Sequence, residues 1–221
     1  RYWHVARALA ASVPEPHSHV HVSPADRAWA DQQLAPLPRP IVAIHPGGRW
    51  PTKIWPAEKF AEVARHAVRQ HGASLMPVGA PNERPLANRL IAHIRDAEPD
   101  APILPLTGQT SLKQLAAALA ASDALLTNDS GPMHLAAAVN TPVIATFLCT
   151  SPRLSGPPEP HHELVPTTVA CHASYHKKCP HRGADHLACM EALDTARMTA
   201  ALDRVLARQP LEHQPESALS P

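Results

Sequence analysis

The chain has 221 residues, enough for one large or two small domains, and a formal net charge of +1 gives it no field for nucleic acid. Hydrophobic residues make up 44% but aromatics only 4%, so the core must be built from Ala, Leu, Val and Ile, as in α/β domains with Ala-rich helices on aliphatic strands. No apolar run reaches the ~20 residues of a membrane span, no secretory leader is legible, and four cysteines are too few for a disulfide framework at this length. The expected setting is cytoplasmic. Arg1 is not an initiator Met, which points to a fragment or a processed chain.

Residues 1–11 read as the tail of an element that begins elsewhere, and residues 12–40 as a Pro- and His-rich linker or domain edge. One helix stands out there, Pro24 to Leu34, with Ser23 as N-cap and Pro24 at the first helical position. From Ile41 the pattern becomes regular. Ile41–Ile44 is a buried strand. Ala57–His71 is an amphipathic helix, with Phe60, Val63, Ala64, Ala67 and Val68 at helical spacing, that stops at Gly72. Strand Ser74–Val78, helix Arg84–Ile94, strand Ile103–Leu106 and a helix entered through Ser111 follow. Strand Ala124–Thr127, a small-residue helix over Leu135–Val139 and strand Val143–Phe147 complete a βαβαβαβαβ series. Such alternation implies a parallel sheet with helices on both faces. Beyond it lie a Pro-rich loop, a strand over Glu163–Val169, an irregular Cys171–Cys189 segment, a helix from about Thr195 to Arg208 and a disordered tail, Pro210–Pro221. The expected boundaries are 1–38, 39–190 and 191–221.

Three loops, each following a strand, carry the polar chemistry and gather at one sheet edge. In the first, His45-Pro46-Gly47-Gly48-Arg49-Trp50-Pro51-Thr52-Lys53, two glycines let backbone approach a ligand and Lys53 offers a charge for phosphate. It is neither a Walker A loop nor a dinucleotide fingerprint, and an ordinary surface loop has the same composition. In the second, Val78-Gly79-Ala80-Pro81-Asn82-Glu83, the carboxylate suits either ribose hydroxyls or the first turn of a helix. In the third, Thr127-Asn128-Asp129-Ser130-Gly131-Pro132-Met133-His134, Asn128, Asp129 and Ser130 can each cap the following helix, whose N-terminus suits a phosphate.

In this order, with Leu106-Thr107-Gly108-x-Thr110-Ser111-Leu112 between the last two and Thr141-Pro142-Val143-Ile144-Ala145 after them, the loops resemble the donor-binding half of the ADP-heptose:lipopolysaccharide heptosyltransferases, glycosyltransferase family nine. Cys171-x7-Cys179-Pro180 and Cys189-Met190 resemble the C-terminal segment of many members, especially the second-heptose type. The resemblance covers about residues 39–208. It implies the Rossmann-like C-terminal domain of a GT-B glycosyltransferase that moves heptose from an ADP-sugar donor to a lipopolysaccharide inner-core acceptor. It implies no cofactor, no metal bridging the diphosphate, and peripheral association with the inner membrane. Gly47, Gly48 and Lys53 would meet the diphosphate, with Lys53 offsetting leaving-group charge. Glu83 would hold the adenosine ribose, and Asp129 the sugar. Ser130 and Gly131 would offer amides to phosphate, and Thr107, Gly108 and His134 complete the donor set. The general base of the family lies in an N-terminal domain outside this chain.

The chain departs from the family at Phe147-Leu148-Cys149-Thr150, where Phe-Gly-Pro-Thr is usual, at Ile54 in place of a basic residue and at Ser174 in place of a second Cys. Two other readings compete. One is a catalytically silent nucleotide-sugar-binding module. The other is a zinc-stabilised domain built on Cys171, Cys179, Cys189 and a nearby His, although these spacings are not the paired Cys-x2-Cys of structural zinc sites.

Overall fold

The structure, a computed structural model, describes residues 19–158 and 161–208. The expectations for residues 1–11 and for the tail Pro210–Pro221 lie outside them. In chain order the elements are α1 (Pro24–Leu34), β1 (Ile41–His45), α2 (Ala57–His71), β2 (Ser74–Pro77), α3 (Arg84–Arg95), α4 (Leu112–Ala120), β3 (Ala124–Asn128), α5 (Gly131–Ala138), β4 (Val143–Phe147), α6 (Pro152–Ser155), β5 (Glu163–Pro166), α7 (Ala188–Ala192) and α8 (Thr195–Leu206).

The five strands form one parallel sheet in the order β2-β1-β3-β4-β5. Every residue of β1, β3 and β4 is buried, as a parallel sheet covered on both faces requires. Alternate strand residues feed two cores. Val42, Ile44, Leu75, Leu126 and Ile144 pack with α2, α3 and α8, whereas Ile41, Ala43, Met76, Leu125 and Val143 pack with α1, α4 and α5. The α/β expectation with helices on both faces is borne out.

Local chemistry sets the element ends. Ser23 caps α1 by accepting from the Asp26 amide, and Ser111 with Gln114 closes a capping box on α4. Gly72 ends α2 at φ 62°, a conformation a side chain resists. Trp55 and Phe60, both fully buried, meet edge to face at 5.2 Å and fasten the start of α2 under β1.

The expected strand Ile103–Leu106 is present only as a single parallel bridge, Leu75 to Ile103. Pro102 and Leu104 bond Leu75, and Leu106 donates to the Pro77 carbonyl. The missing rung needs an N–H that Pro77 does not have. With this segment beside β2, the spatial order is that of a Rossmann sheet. The strand expected over Glu163–Val169 stops at Pro166, opposite Phe147 where β4 itself stops. Neither the α6 turn nor α7 was foreseen, and α5 starts at Gly131, four residues before the expected Leu135.

Truncating Phe60 to Ala leaves a cavity between α2 and the sheet. Loss of about 3–5 kcal/mol, read by chemical denaturation, is the expected result.

Candidate active site

Strand order reverses between β1 and β3, because β1 leads outward to β2 while β3 lies on its other side. The carboxyl ends of those two strands flank the crevice where open α/β sheets take their ligands. A cleft of about 770 Å³ opens there.

Asn128, at the end of β3, builds its floor. Its side-chain amide donates to the carbonyls of Pro46 (2.8 Å) and Gly47 (2.9 Å), and its oxygen accepts from the Trp55 amide (3.0 Å) and the Thr146 hydroxyl (2.8 Å). One buried residue thus ties both ends of the first loop to β3 and β4. The register that places His45 opposite Thr127 then makes His45 the hub of the cleft. Nδ1 meets the Ser130 hydroxyl (3.1 Å) and the Thr127 hydroxyl (3.3 Å), and Nε2 meets the Glu83 carboxylate at 3.2 Å.

Glu83 also accepts from the Ala80 amide at 2.7 Å. The hydrogen bond with His45 is the main cause holding its carboxyl below the ordinary range. Partial burial opposes this, while the His45 charge and the Ala80 amide add to it. The carboxylate lies against two glycines: a Cβ on Gly47 would sit 1.8 Å from Glu83 Oε1, and one on Gly79 2.7 Å from Oε2.

Lys53 and Asp129, expected to face one ligand from two loops, meet each other. Lys53 Nζ lies 2.7 Å from Asp129 Oδ2, with the aspartate buried and the lysine largely so, and 4.6 Å from the centre of the Trp50 ring. Ser130 occupies the N-cap of α5 but no side chain caps that helix, because Asp129 is engaged with Lys53 and Ser130 with His45 and Thr127. The capping role open to Asn128, Asp129 and Ser130 is therefore not used. Ser130, Gly131, Pro132 and His134 at the start of α5 line the cleft.

Of the expected donor residues, Gly48, Lys53, Glu83, Asp129, Ser130, Gly131 and His134 line this cleft, and Gly47 lies beneath Glu83. Thr107 and Gly108 do not line it. Their carbonyls accept from Arg84 (3.3 and 2.8 Å), and a Cβ on Gly108 would lie 2.8 Å from Pro81 Cα. They act at one remove, seating the turn that carries Glu83. Sequence reasoning passed over Arg84, the hub role of His45 and a wall formed by Thr110, Ser111, Leu112 and Leu115. The 72% exposure of Leu112 at the start of α4 is visible only in the fold, and no sequence signal marked it.

No set of three or more His, Cys, Asp or Glu ligand atoms that includes Cys171, Cys179 or Cys189 converges among the described residues. All four cysteines are free thiols. Burial, with the nearby Cys171, Cys149 and Cys179, pushes the Cys189 thiol up to about 11.

A doubly wound parallel sheet with a cleft at its switch point, lined by a lysine, a carboxylate and the start of a helix, defines a Rossmann-like α/β domain. The chain belongs to glycosyltransferase family 9 (heptosyltransferase), whose model matches residues 1–184. It is 31% identical over 172 residues to lipopolysaccharide heptosyltransferase 2 of Escherichia coli K12, across 76% of this chain and 48% of that protein. It also resembles the solved ADP-heptose lps heptosyltransferase II of Escherichia coli, with a TM-score of 0.71 and 26% identity over 88% of this chain and 55% of the other. A family 9 glycosyl transferase from Veillonella parvula gives a TM-score of 0.75 and 25% identity over 93% and 58%. The expected fold, a Rossmann-like half of a GT-B glycosyltransferase, agrees with both structures. The chain spans about half the length of the curated relative. No helix among the described residues is long and apolar enough to cross a membrane.

The Glu83 geometry predicts an acid-dependent contribution to stability. The folded pKa lies below the ordinary value of 4.5, so the stabilisation is present above that value and is lost as pH falls through the folded pKa. The melting-temperature gap between wild type and Glu83→Gln is therefore expected to be widest above pH 4.5 and to close as pH falls through the lowered folded pKa.

Proposed function

We propose that this chain carries the donor site of a heptosyltransferase that takes heptose from an ADP-sugar and delivers it to a lipopolysaccharide-core acceptor. Family membership supports the reaction class, and the name of the solved relative supports ADP-heptose. The observation that carries the reading is the convergence of Lys53, Asp129 and the uncapped N-terminus of α5 on one cleft. In this reading residues 39–190 are the donor domain. Residues 1–38 are the end of an acceptor domain and the linker from it, residues 191–221 are a C-terminal helix and tail, and the acceptor domain supplies the general base. The working place is the cytoplasm, with peripheral contact to the inner membrane where the acceptor lies.

The diphosphate draws Lys53 away from Asp129 and accepts from the amides of Gly131 and Met133; Pro132 has no N–H to give. Charge that builds on the departing ADP is met by Lys53 and by these fixed dipoles, a preorganised form of electrostatic catalysis. Glu83, held as a carboxylate by His45 and Ala80, accepts from the ribose hydroxyls, and Leu112 and Leu115 give the base an apolar wall. Asp129, released from Lys53, turns to the hydroxyls of the sugar. Gly47 and Gly48 allow the backbone close to the ligand, and His134 stands at the rim.

The ion pair makes the two loops' roles separable by calorimetry. Lys53→Ala removes a charge-assisted contact worth about 1.5–3 kcal/mol and should weaken ADP and ADP-heptose alike, by roughly ten- to a hundredfold. Asp129→Asn frees Lys53, so ADP affinity should hold or rise while ADP-heptose affinity falls. Unchanged ADP binding in Lys53→Ala removes the phosphate assignment. Equal loss of both ligands in Asp129→Asn removes the sugar assignment.

A further inference from the structure

On the side of the sheet away from α1, α4 and α5, helices α2 and α8 bring together three side chains that the donor site does not use. His66 and His71 lie five residues apart at the end of α2, and Asp203 lies near the end of α8. Nε2 of His66 and Nε2 of His71 both stand 2.7 Å from the same oxygen, Oδ1 of Asp203. All three ligand atoms lie within 4.8 Å of one another, and the side chains are 29%, 26% and 44% exposed, so solvent reaches the trio.

We propose that His66, His71 and Asp203 form a binding site for one borderline divalent ion of the zinc class, which clamps the last helix α8 onto α2. Two imidazoles and one carboxylate are the ligand set that zinc accepts with three protein donors and a water. Imidazole nitrogen also selects against magnesium and calcium, which prefer all-oxygen sites. The two rings already aim the same nitrogen at one point. Without an ion each must spend an N–H on a single carboxylate oxygen. An ion at about 2.0–2.1 Å from each donor needs the donors roughly 3.3 Å apart, so each imidazole nitrogen must move about half an ångström from Asp203 Oδ1. The C-terminal half of α2 and the C-terminal half of α8 supply the three ligands from rigid elements. Buried Met198, Ala201, Leu202 and Val205 already hold α8 against that face, so the donors need little ordering when the ion arrives.

The test is titration of the untagged, chelator-treated chain with Zn²⁺ and with Co²⁺, in wild type, Asp203→Asn and the double variant His66→Gln/His71→Gln, after their metal-free melting temperatures are compared. Wild type is expected to bind one more equivalent of Zn²⁺ than the double variant, at least tenfold tighter than any site that remains. Zinc should raise its melting temperature by several degrees, and neither altered protein should show that rise, because an ion bound only to the folded state stabilises it. Co²⁺ on wild type should give weak visible bands without thiolate charge transfer, a readout that needs no variant. Identical isotherms for wild type and the double variant overturn the proposal, as does a strong near-ultraviolet thiolate band that accounts for the bound cobalt.

Discussion

The cleft depends on a single buried amide. Asn128 uses both of its N–H groups and both lone-pair directions of its oxygen, and the four partners come from the two ends of the first loop and from β4. An apolar side chain there would leave two carbonyls, a backbone N–H and a hydroxyl without this partner in a dry place, each a penalty of about 1–3 kcal/mol. The tie also sets distance. By holding Pro46 and Gly47 against the end of β3, it fixes where the chain can turn toward Trp50 and Lys53, and so brings Lys53 to Asp129. A hydrophobic core alone does not provide this, because apolar packing is indifferent to the direction of a loop.

The same region is nearly neutral in charge on its own. Lys53 is matched by Asp129, and Glu83 sits on His45. Each group is kept in place by a partner that can also be exchanged. A buried charge left alone would carry a large desolvation cost, so such pairing is how the fold holds ionic side chains ready. Both pairs bridge loops that follow different strands, which means the sheet geometry, and not local sequence, determines who meets whom.

That division explains what could be read from the chain in advance. Helix spans were legible because their signals are local: Ser23 with Pro24, the apolar face from Phe60 to Val68, Gly72 as a stop. Buried strands were legible as short aliphatic runs. The Ile103–Leu106 strand was misjudged because its integrity depends on its neighbour, where Pro77 cannot donate. The polar loops were located correctly, but their internal wiring was not. Capping was a sound local expectation for Asp129 and Ser130, and it lost to long-range partners, Lys53 at 76 positions and His45 at 85. Thr107 and Gly108 sit in a recognisable motif, yet nothing in their spacing reveals that Arg84 stands between them and the cleft.

The broken ladder beside β2 has a consequence for how copies of this chain behave toward one another. A sheet edge with free donors and acceptors is a template on which another strand can add. Here the inward groups of the 102–106 segment are spent on Leu75 and Pro77, and of its outward positions Pro105 has no N–H while its carbonyl is taken by the Gln109 side chain at 2.5 Å. A foreign strand arriving at this edge finds Ile103 and then no continuing rung. The prolines that cost the domain a regular strand thereby make this edge unsociable, protecting a largely aliphatic chain from sheet-to-sheet aggregation while it is crowded or newly made.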